Sequence, residues 1–583
     1  MTSIIPSSLR FALCALAFGA AACLASAPVR AANLAEVPDE NAPVIIMLRD
    51  IPEILRLWEK TPIAALINDP ELSQFNDQMN ALRGIAPLPP DAGGMDEITA
   101  IIKQVSKLAP NAIVALADIN FTSPETLLGS LIVALDLGTG ARETEKQISM
   151  MLAEGKWERR VEDYFGLPIN IEVVPQPSGG ESLTIYWAVL DSTLIASGNR
   201  EHLCASIDRV KRIGKTISFA MSARHSRMMG TIGMAQIAYA ANIKSLFATV
   251  KKAASEQLAK NPESAMVSMD AIESALGIDA FGDAFFGVIL DNNEMQIAGA
   301  CTHDNPHGLL RLLAPKAGSL PRPPFLPQTL SSVSISNFDA AGTFATVKAS
   351  VQQIAPFVGA LIDAQINNLN QNMGVNLEND LLVNIDGCMI TGMFPPAKNS
   401  KETSMFLAFP LKKPEAFTAA LGKLIAAGGL PEKTRQLGDI TIRSVSNGTN
   451  YPGSRFEYAI VRNYFLAAGG TGGIDQAVRC WAGQSASVWT DPRFVEMADT
   501  MPGNLCGISR YSLRDMARLW FVPAGTAVQR AAIETRPADA GRANTPAPRL
   551  PSPSFDSLKD YQVYNYFYRK NDGTYFRTKI TRN

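Results

Sequence analysis

Histidine is nearly absent from this chain, with four in 583 residues, His202, His225, His303 and His307. That scarcity removes much of the general-base and metal-ligand chemistry that a chain of this length can carry. A Gly-x-Ser-x-Gly nucleophile elbow, a Walker lysine loop and the dinucleotide glycine spacing are also missing. Charge of one sign is lacking too. Fifty-three Lys and Arg face 55 Asp and Glu, so no excess draws the chain to nucleic acid or to anionic lipid. Beyond residue 31 no uncharged apolar run reaches the about 20 residues of a membrane span. The longest candidate, 230–243, is interrupted by Gln236 and Asn242. Cysteines are few and widely spaced. Once Cys14 and Cys23 are set aside, Cys204, Cys301, Cys388, Cys480 and Cys506 remain, an odd set that allows at most two bridges and reads as small buried hydrophobes.

What is present begins with an export signal. Arg10 supplies the positive start, residues 11–24 are apolar, and Val29-Arg30-Ala31 is a small-x-small exit. Cleavage is expected after Ala31, which gives a soluble secreted or periplasmic chain with no transmembrane span. A lipid anchor on Cys23, preceded by Ala20-Ala21-Ala22, is the weaker reading, because the usual Leu three positions before the cysteine is missing. The mature chain is 47% hydrophobic in composition and long enough for two packed cores.

The same α+β unit then occurs twice. In 44–50 an apolar strand ends in Asp50 and runs into a helix around Trp58, and in 333–339 another ends in Asp339 and runs into a helix around Val347. Strands at 112–119 and 131–137, a helix at 143–152 and a meander over 168–197 follow in the first copy. Strands at 389–393 and 405–411, a helix at 414–426 and strands at 456–468 answer them in the second. Leu437-Gly corresponds to Phe165-Gly, and 507–520 to 237–250. The spacing predicts long helical stretches over 243–276 and 340–373, the latter with Phe344, Val347, Val351 and Ile354 on its apolar face and Gly374 ending it. Each copy closes with a hairpin, at 285–301 and 561–580. Domain organisation is therefore read as signal 1–31, first repeat 32–314, Pro-rich linker 315–328 and second repeat 329–583, the last containing a Pro-rich tether at 532–555.

Several phrases carry a family resemblance. They are Asp50-Ile-Pro-Glu, Trp58-Glu-Lys-Thr-Pro, Asp69-Pro-Glu-Leu, Leu276-Gly-Ile-Asp-Ala and Gly374-Val-Asn-Leu-Glu-Asn-Asp-Leu-Leu. In these the chain resembles secreted bacterial proteins grouped under a domain of unknown function, number 3352. The resemblance covers most of the mature chain. It implies export and a repeated α+β fold, and it brings no activity or catalytic residue.

The candidate chemistry is thin. Cys301, His303, Asp304 and His307 are all zinc-ligand types within seven residues, but Asn305-Pro306 turns the chain among them. Gly469-Gly-Thr-Gly-Gly473 lies between a strand and a helix, where backbone amides can hold an anion. Asp50 and Asp339 could act as an acid/base pair; capping is the better explanation, and a cap contributes about 1 kcal/mol. Tyr564, Tyr566, Tyr568 and Phe567 interleave with Arg569, Lys570, Arg577 and Lys579, a pattern shared by stacking platforms and by ordinary half-buried hairpins.

The fold expected is α+β, two homologous lobes, each a mainly antiparallel sheet with helices packed on one face. The function expected is a non-catalytic binding or scaffold role in the periplasm or cell envelope, with no cofactor, no metal and no nucleic-acid partner. Its partner would be an envelope protein, lipid or glycan. The alternatives are an exported hydrolase with acidic groups meeting between the lobes, or a carrier of apolar ligands such as lipids.

Overall fold

The structure, a computed structural model, describes residues 33–72, 109–119, 129–154, 157–175, 182–260, 268–292, 294–395, 404–446, 455–469, 472–500, 503–518 and 554–582. The signal segment 1–31, the stripe Phe75, Met79 and Leu82, and most of the tether 532–555 fall outside them. The chain is α+β, and its strands pair antiparallel. It divides into two compact units. Unit 1 is built on Met1–Ala253 with Gly282–Cys301, and unit 2 on Ala254–Phe281, Thr302–Ala524 and Ser552–Asn583.

Unit 1 contains β1 (Val44–Arg49), β2 (Asn111–Leu116), β3 (Leu131–Asp136), β4 (Glu158–Tyr164), β5 (Leu167–Val174), β6 (Leu183–Leu190), β7 (Thr193–Ser197) and β8 (Ile237–Asn242). Almost all of β9 (Phe281–Leu290) and β10 (Glu294–His303) belongs to it as well. The strands lie side by side in the order β4-β5-β6-β7-β3-β2-β1-β8-β9, and β10 pairs with β9. Alternation fixes the register. Ile45 and Met47 of β1 are buried while their neighbours are only half covered, since successive side chains leave a strand on opposite faces. Helix Ala141–Glu154 lays Ala141 and Ile148 against Leu135, Trp187, Leu194 and Ala196 to make the core on one face. Every residue of β7 is buried, so both faces of the sheet are covered there, more than the single helical layer the sequence suggests.

Unit 2 contains β11 (Ser332–Asn337), β12 (Cys388–Phe394), β13 (Ser404–Pro410), β14 (Glu432–Leu437), β15 (Ile440–Ser446), β16 (Arg455–Val461), β17 (Tyr464–Gly469), β18 (Leu505–Ser512), β19 (Tyr561–Lys570) and β20 (Gly573–Arg582). Its order is β14-β15-β16-β17-β13-β12-β11-β18-β19-β20. Position by position, this is the order of unit 1. The turns agree as well: Asp191 and Arg462 open the β6–β7 and β16–β17 turns with the same φ of 54°. The core differs in kind. Helix Pro414–Ala427 packs Phe417 among Phe409, Phe465 and Tyr458, with Phe409 stacked on Phe465 at 5.0 Å.

Three sequence readings change. The Pro-rich segment 315–328, read as a linker, lies within unit 2. Phe325 and Leu326 are fully buried, Pro327 bridges to Ser487, and the Val488 amide donates to the Leu326 carbonyl at 2.9 Å. Unit 1 makes the same contacts ahead of β1, where Asp39 bridges to Ser218 and the Phe219 amide donates to Pro38 at 2.9 Å. Prolines there hold an extended strip that lacks donors in any case, so they mark the start of the repeat and not a gap before it.

The stretch 340–373 is two helices, Ala340–Ile354 and Pro356–Met373. Pro356 forces Ala355 out of helical geometry, to φ −140° and ψ 80°. The stretch 243–276 holds helices Ile243–Lys260 and Met269–Leu276. The predicted buried stripe of the first helix in 340–373 is also not its buried side. Ser350 is buried and donates to the Ala275 carbonyl at 3.0 Å, whereas Val347 is 40% exposed.

Candidate functional site

The carboxylates singled out in the sequence cap helices. Asp50 accepts the Glu53 amide at 3.1 Å from a left-handed backbone, φ 55°, and its own amide donates to Asn111 Oδ1. Asp339 accepts the Gly342 amide at 2.9 Å. A Cβ on Gly342 would collide with that carboxylate, so glycine is what permits the cap. Each Asp serves a helix of its own unit. The phrases behind the family resemblance are turns and caps in the same sense. Thr61 caps helix Pro62–Ile67, and Gly277, at φ 75°, ends Met269–Leu276 where a Cβ would strike the His307 carbonyl.

The cysteine–histidine cluster does not converge. His303 is buried, and its Nε2 lies 3.0 Å from Thr574 Oγ1. Burial, then Arg569, lowers its pKa. His307 turns to Asp279, at 3.0 Å. Burial pushes the Cys301 thiol up to about 11, which leaves it an unreactive hydrophobe. Cys204, Cys388, Cys480 and Cys506 are buried, and all five cysteines are free thiols. Among the described residues no group of three His, Cys, Asp or Glu is placed to hold a metal.

Carboxylates of the chain itself occupy the neighbourhood of the glycine-rich turn. Glu457 Oε2 lies 3.5 Å from the Gly472 amide, and Arg435 bridges Glu457 and Asp475 at 3.0 and 2.7 Å. An external anion would meet two negative charges there. Gly470 and Thr471 lie outside the described residues. The C-terminal hairpin turns its rings inward: Tyr568 and Tyr575 are buried and stacked at 5.4 Å, and Tyr564 donates to Asp491 at 3.1 Å. Bases or sugars therefore find no open platform on these three rings.

Two features of unit 2 escape a reading by motif. Helix Pro356–Met373 exposes Phe357 at 77%, with Val358, Leu361, Ile362 and Leu369 also exposed. At 100° per residue these five fall within one arc. The helix carries a single charge, Asp363, which is paired with Lys348 at 2.8 Å. The sequence signal was present as a helical stripe, but a stripe does not say whether it faces core or solvent. The second feature is a cavity of about 400 Å³ between the turn Leu377–Asn384 and the start of helix Pro414–Ala427, lined in part by Lys412, Lys413 and Lys423. Its residues are scattered over nearly fifty positions, so no local pattern announces it.

No family model matches the chain, and no curated protein matches it. Two solved structures are similar over half of it. TP0453 in crystal form III has 10% identity and a TM-score of 0.25, covering 50% of this chain and 90% of that one. TP0453 in crystal form I has 10% identity and a TM-score of 0.24, covering 50% and 88%. A likeness at that level carries nothing about function. No helix among the described residues is long and apolar enough to cross a membrane.

Proposed function

We propose that this protein is exported to the periplasm or cell envelope and acts there as a non-catalytic binding protein, with the exposed apolar side of helix Pro356–Met373 as its contact surface. The observation that carries the reading is Phe357, 77% exposed at the head of a stripe with Val358, Leu361 and Ile362. Soluble monomers rarely leave contiguous apolar surface uncovered, and such patches mark sites of interaction. The signal-like residues 1–31 and the resemblance to the secreted group numbered 3352 support export. The hydrolase alternative rested on Asp50 and Asp339, and each of those carboxylates accepts the amide of its own helix.

A photo-crosslinking side chain in place of Leu361 tests the surface in the exporting cell. Capture of an envelope lipid or protein at 361, with none from the same group at Lys433 on the exposed strand β14, is the expected result. Equal capture at both positions, or recovery of the chain from the cytoplasm alone, overturns the reading.

A further inference from the structure

The cavity in unit 2 is built by chain geometry before any ligand is considered. Leu411 is buried, and its amide donates to the Asn463 carbonyl at 2.6 Å, while the Lys412 amide donates to the Asn384 carbonyl at 2.8 Å. The backbone that presents Lys412 and Lys413 is therefore held on both sides. Helix Pro414–Ala427 follows at once, and Ala416, Ala419, Ala420 and Lys423 return on one of its faces at helical spacing. Three alanines leave the space open, and Lys423 reaches into its far end. The opposite wall includes Val375 and Val383, the latter 45% exposed.

The charge balance of this lining is positive. Lys412 Nζ donates to the Val383 carbonyl at 3.1 Å, a contact that leaves its charge uncompensated. Lys413 and Lys423 have no carboxylate within ion-pair distance among the described residues. The one acid of the lining, Asp380, is committed to its own turn and accepts the Asn376 amide at 2.7 Å. Three cations against one acid, in a chain whose net charge is −2, form a local reversal of sign beside an apolar wall. A volume of about 400 Å³ falls in the range of small-molecule sites, about 300–1,000 Å³. Lysine binds phosphate as a point charge without demanding a planar partner.

We infer that this cavity binds a phosphate-bearing ligand, its anionic group held by Lys412, Lys413 and Lys423 and its carbon body against Val375, Val383 and the alanine face. The inference goes beyond the envelope role and does not depend on the apolar helix.

Calorimetric titration of the full mature chain with glycerol phosphate, and with vesicles of phosphatidylcholine alone or mixed with phosphatidylglycerol, tests it. Saturable binding of glycerol phosphate identifies a soluble ester as the source of the phosphate. Binding only to the phosphatidylglycerol vesicles identifies a lipid headgroup. In either arm the double variant Lys413→Gln, Lys423→Gln should weaken binding about tenfold or more, and Lys433→Gln should not. Ala419→Phe, which fills the cavity and leaves every charge in place, should abolish binding with the melting temperature unchanged. Silence in both arms, or binding that survives Ala419→Phe in a folded protein, overturns the inference.

Discussion

Helix Ala223–Ile232 in unit 1 and helix Pro492–Asp499 in unit 2 follow the same turn and precede the same strand, yet the charge pairs that fasten them are reversed. In unit 1 the arginine is on the helix. Arg224 meets Asp283 of β9 at 2.8 Å and donates to the Ala42 carbonyl at 2.6 Å. In unit 2 the acid is on the helix. Asp491 caps it and meets Arg510 of β18 at 3.3 Å, and Arg510 donates to the Leu330 carbonyl at 2.9 Å. Both guanidiniums are buried, and both reach carbonyls of the strip that leads into the first strand of their unit. What the architecture requires at this place is a buried cation that satisfies those carbonyls and an acid to neutralise it. Which element supplies each is free to change, as expected of residues kept for packing.

The comparison breaks most visibly at these arginines. Arg224→Leu and Arg510→Leu should each cost about 3–5 kcal/mol, because each strands a buried acid. Denaturant unfolding measures the loss, and hydrogen exchange should place it in β8 and β9 for the first variant and in β18 and β19 for the second. Loss spread evenly over both units in either variant would contradict the assignment. Phe325→Ala comes next, at about 3–5 kcal/mol for a buried phenylalanine. A flexible linker would give a value near zero, so this variant decides whether 315–328 opens the second repeat.

The two caps sharpen the comparison at smaller scale. Asp339→Ala should cost about 1 kcal/mol, the usual worth of a cap. Asp50→Ala should cost about 1–2 kcal/mol more, since alanine must also enter the left-handed region, and Asp50→Asn should restore most of it. Equal losses at the two sites would show that the backbone of Asp50 is not strained.

The smallest effect is a pH dependence shared by both units. Burial lowers the pKa of His225 in unit 1 and of His303 in unit 2 below the usual 6.5. The unfolded chain therefore takes up these protons first as pH falls. Stability from each neutral imidazole is complete above about pH 6.5 and declines below it, toward the folded value. Unfolding midpoints across pH 5–8 should flatten in part in His303→Gln and further when His225→Gln is added. An unchanged slope in the double variant would remove both histidines from the account.

Much of the strand order could be read from apolar runs, because β1, β5 to β7 and their counterparts bury alternate or continuous faces. The outer strands β4 and β14 could not. Their sequences, Glu-Arg-Arg-Val-Glu-Asp-Tyr and Glu-Lys-Thr-Arg-Gln-Leu, are charged and mostly exposed, so they stand on ladder hydrogen bonds to β5 and β15 and leave no hydrophobic period. Only the turns Phe165-Gly166 and Leu437-Gly438 marked them. The buried Arg–Asp pairs were equally silent, since a charged residue in sequence reads as surface until its partner, tens of residues away, is known. The cap role of Asp50 and Asp339 was legible because capping is local. The lysine cavity was not, because it exists only once the turn after Gly374 and the helix after Lys413 have met.

The path of the chain through the units has a practical consequence. Residues 254–281 sit in unit 2, while the hairpin strands that follow them return to unit 1. A gene divided anywhere in 315–328 would thus yield two fragments, and the downstream one would lack helix Met269–Leu276 and the Ala275 carbonyl that receives Ser350. Expressing the halves separately should give aggregation-prone pieces in place of two independent domains.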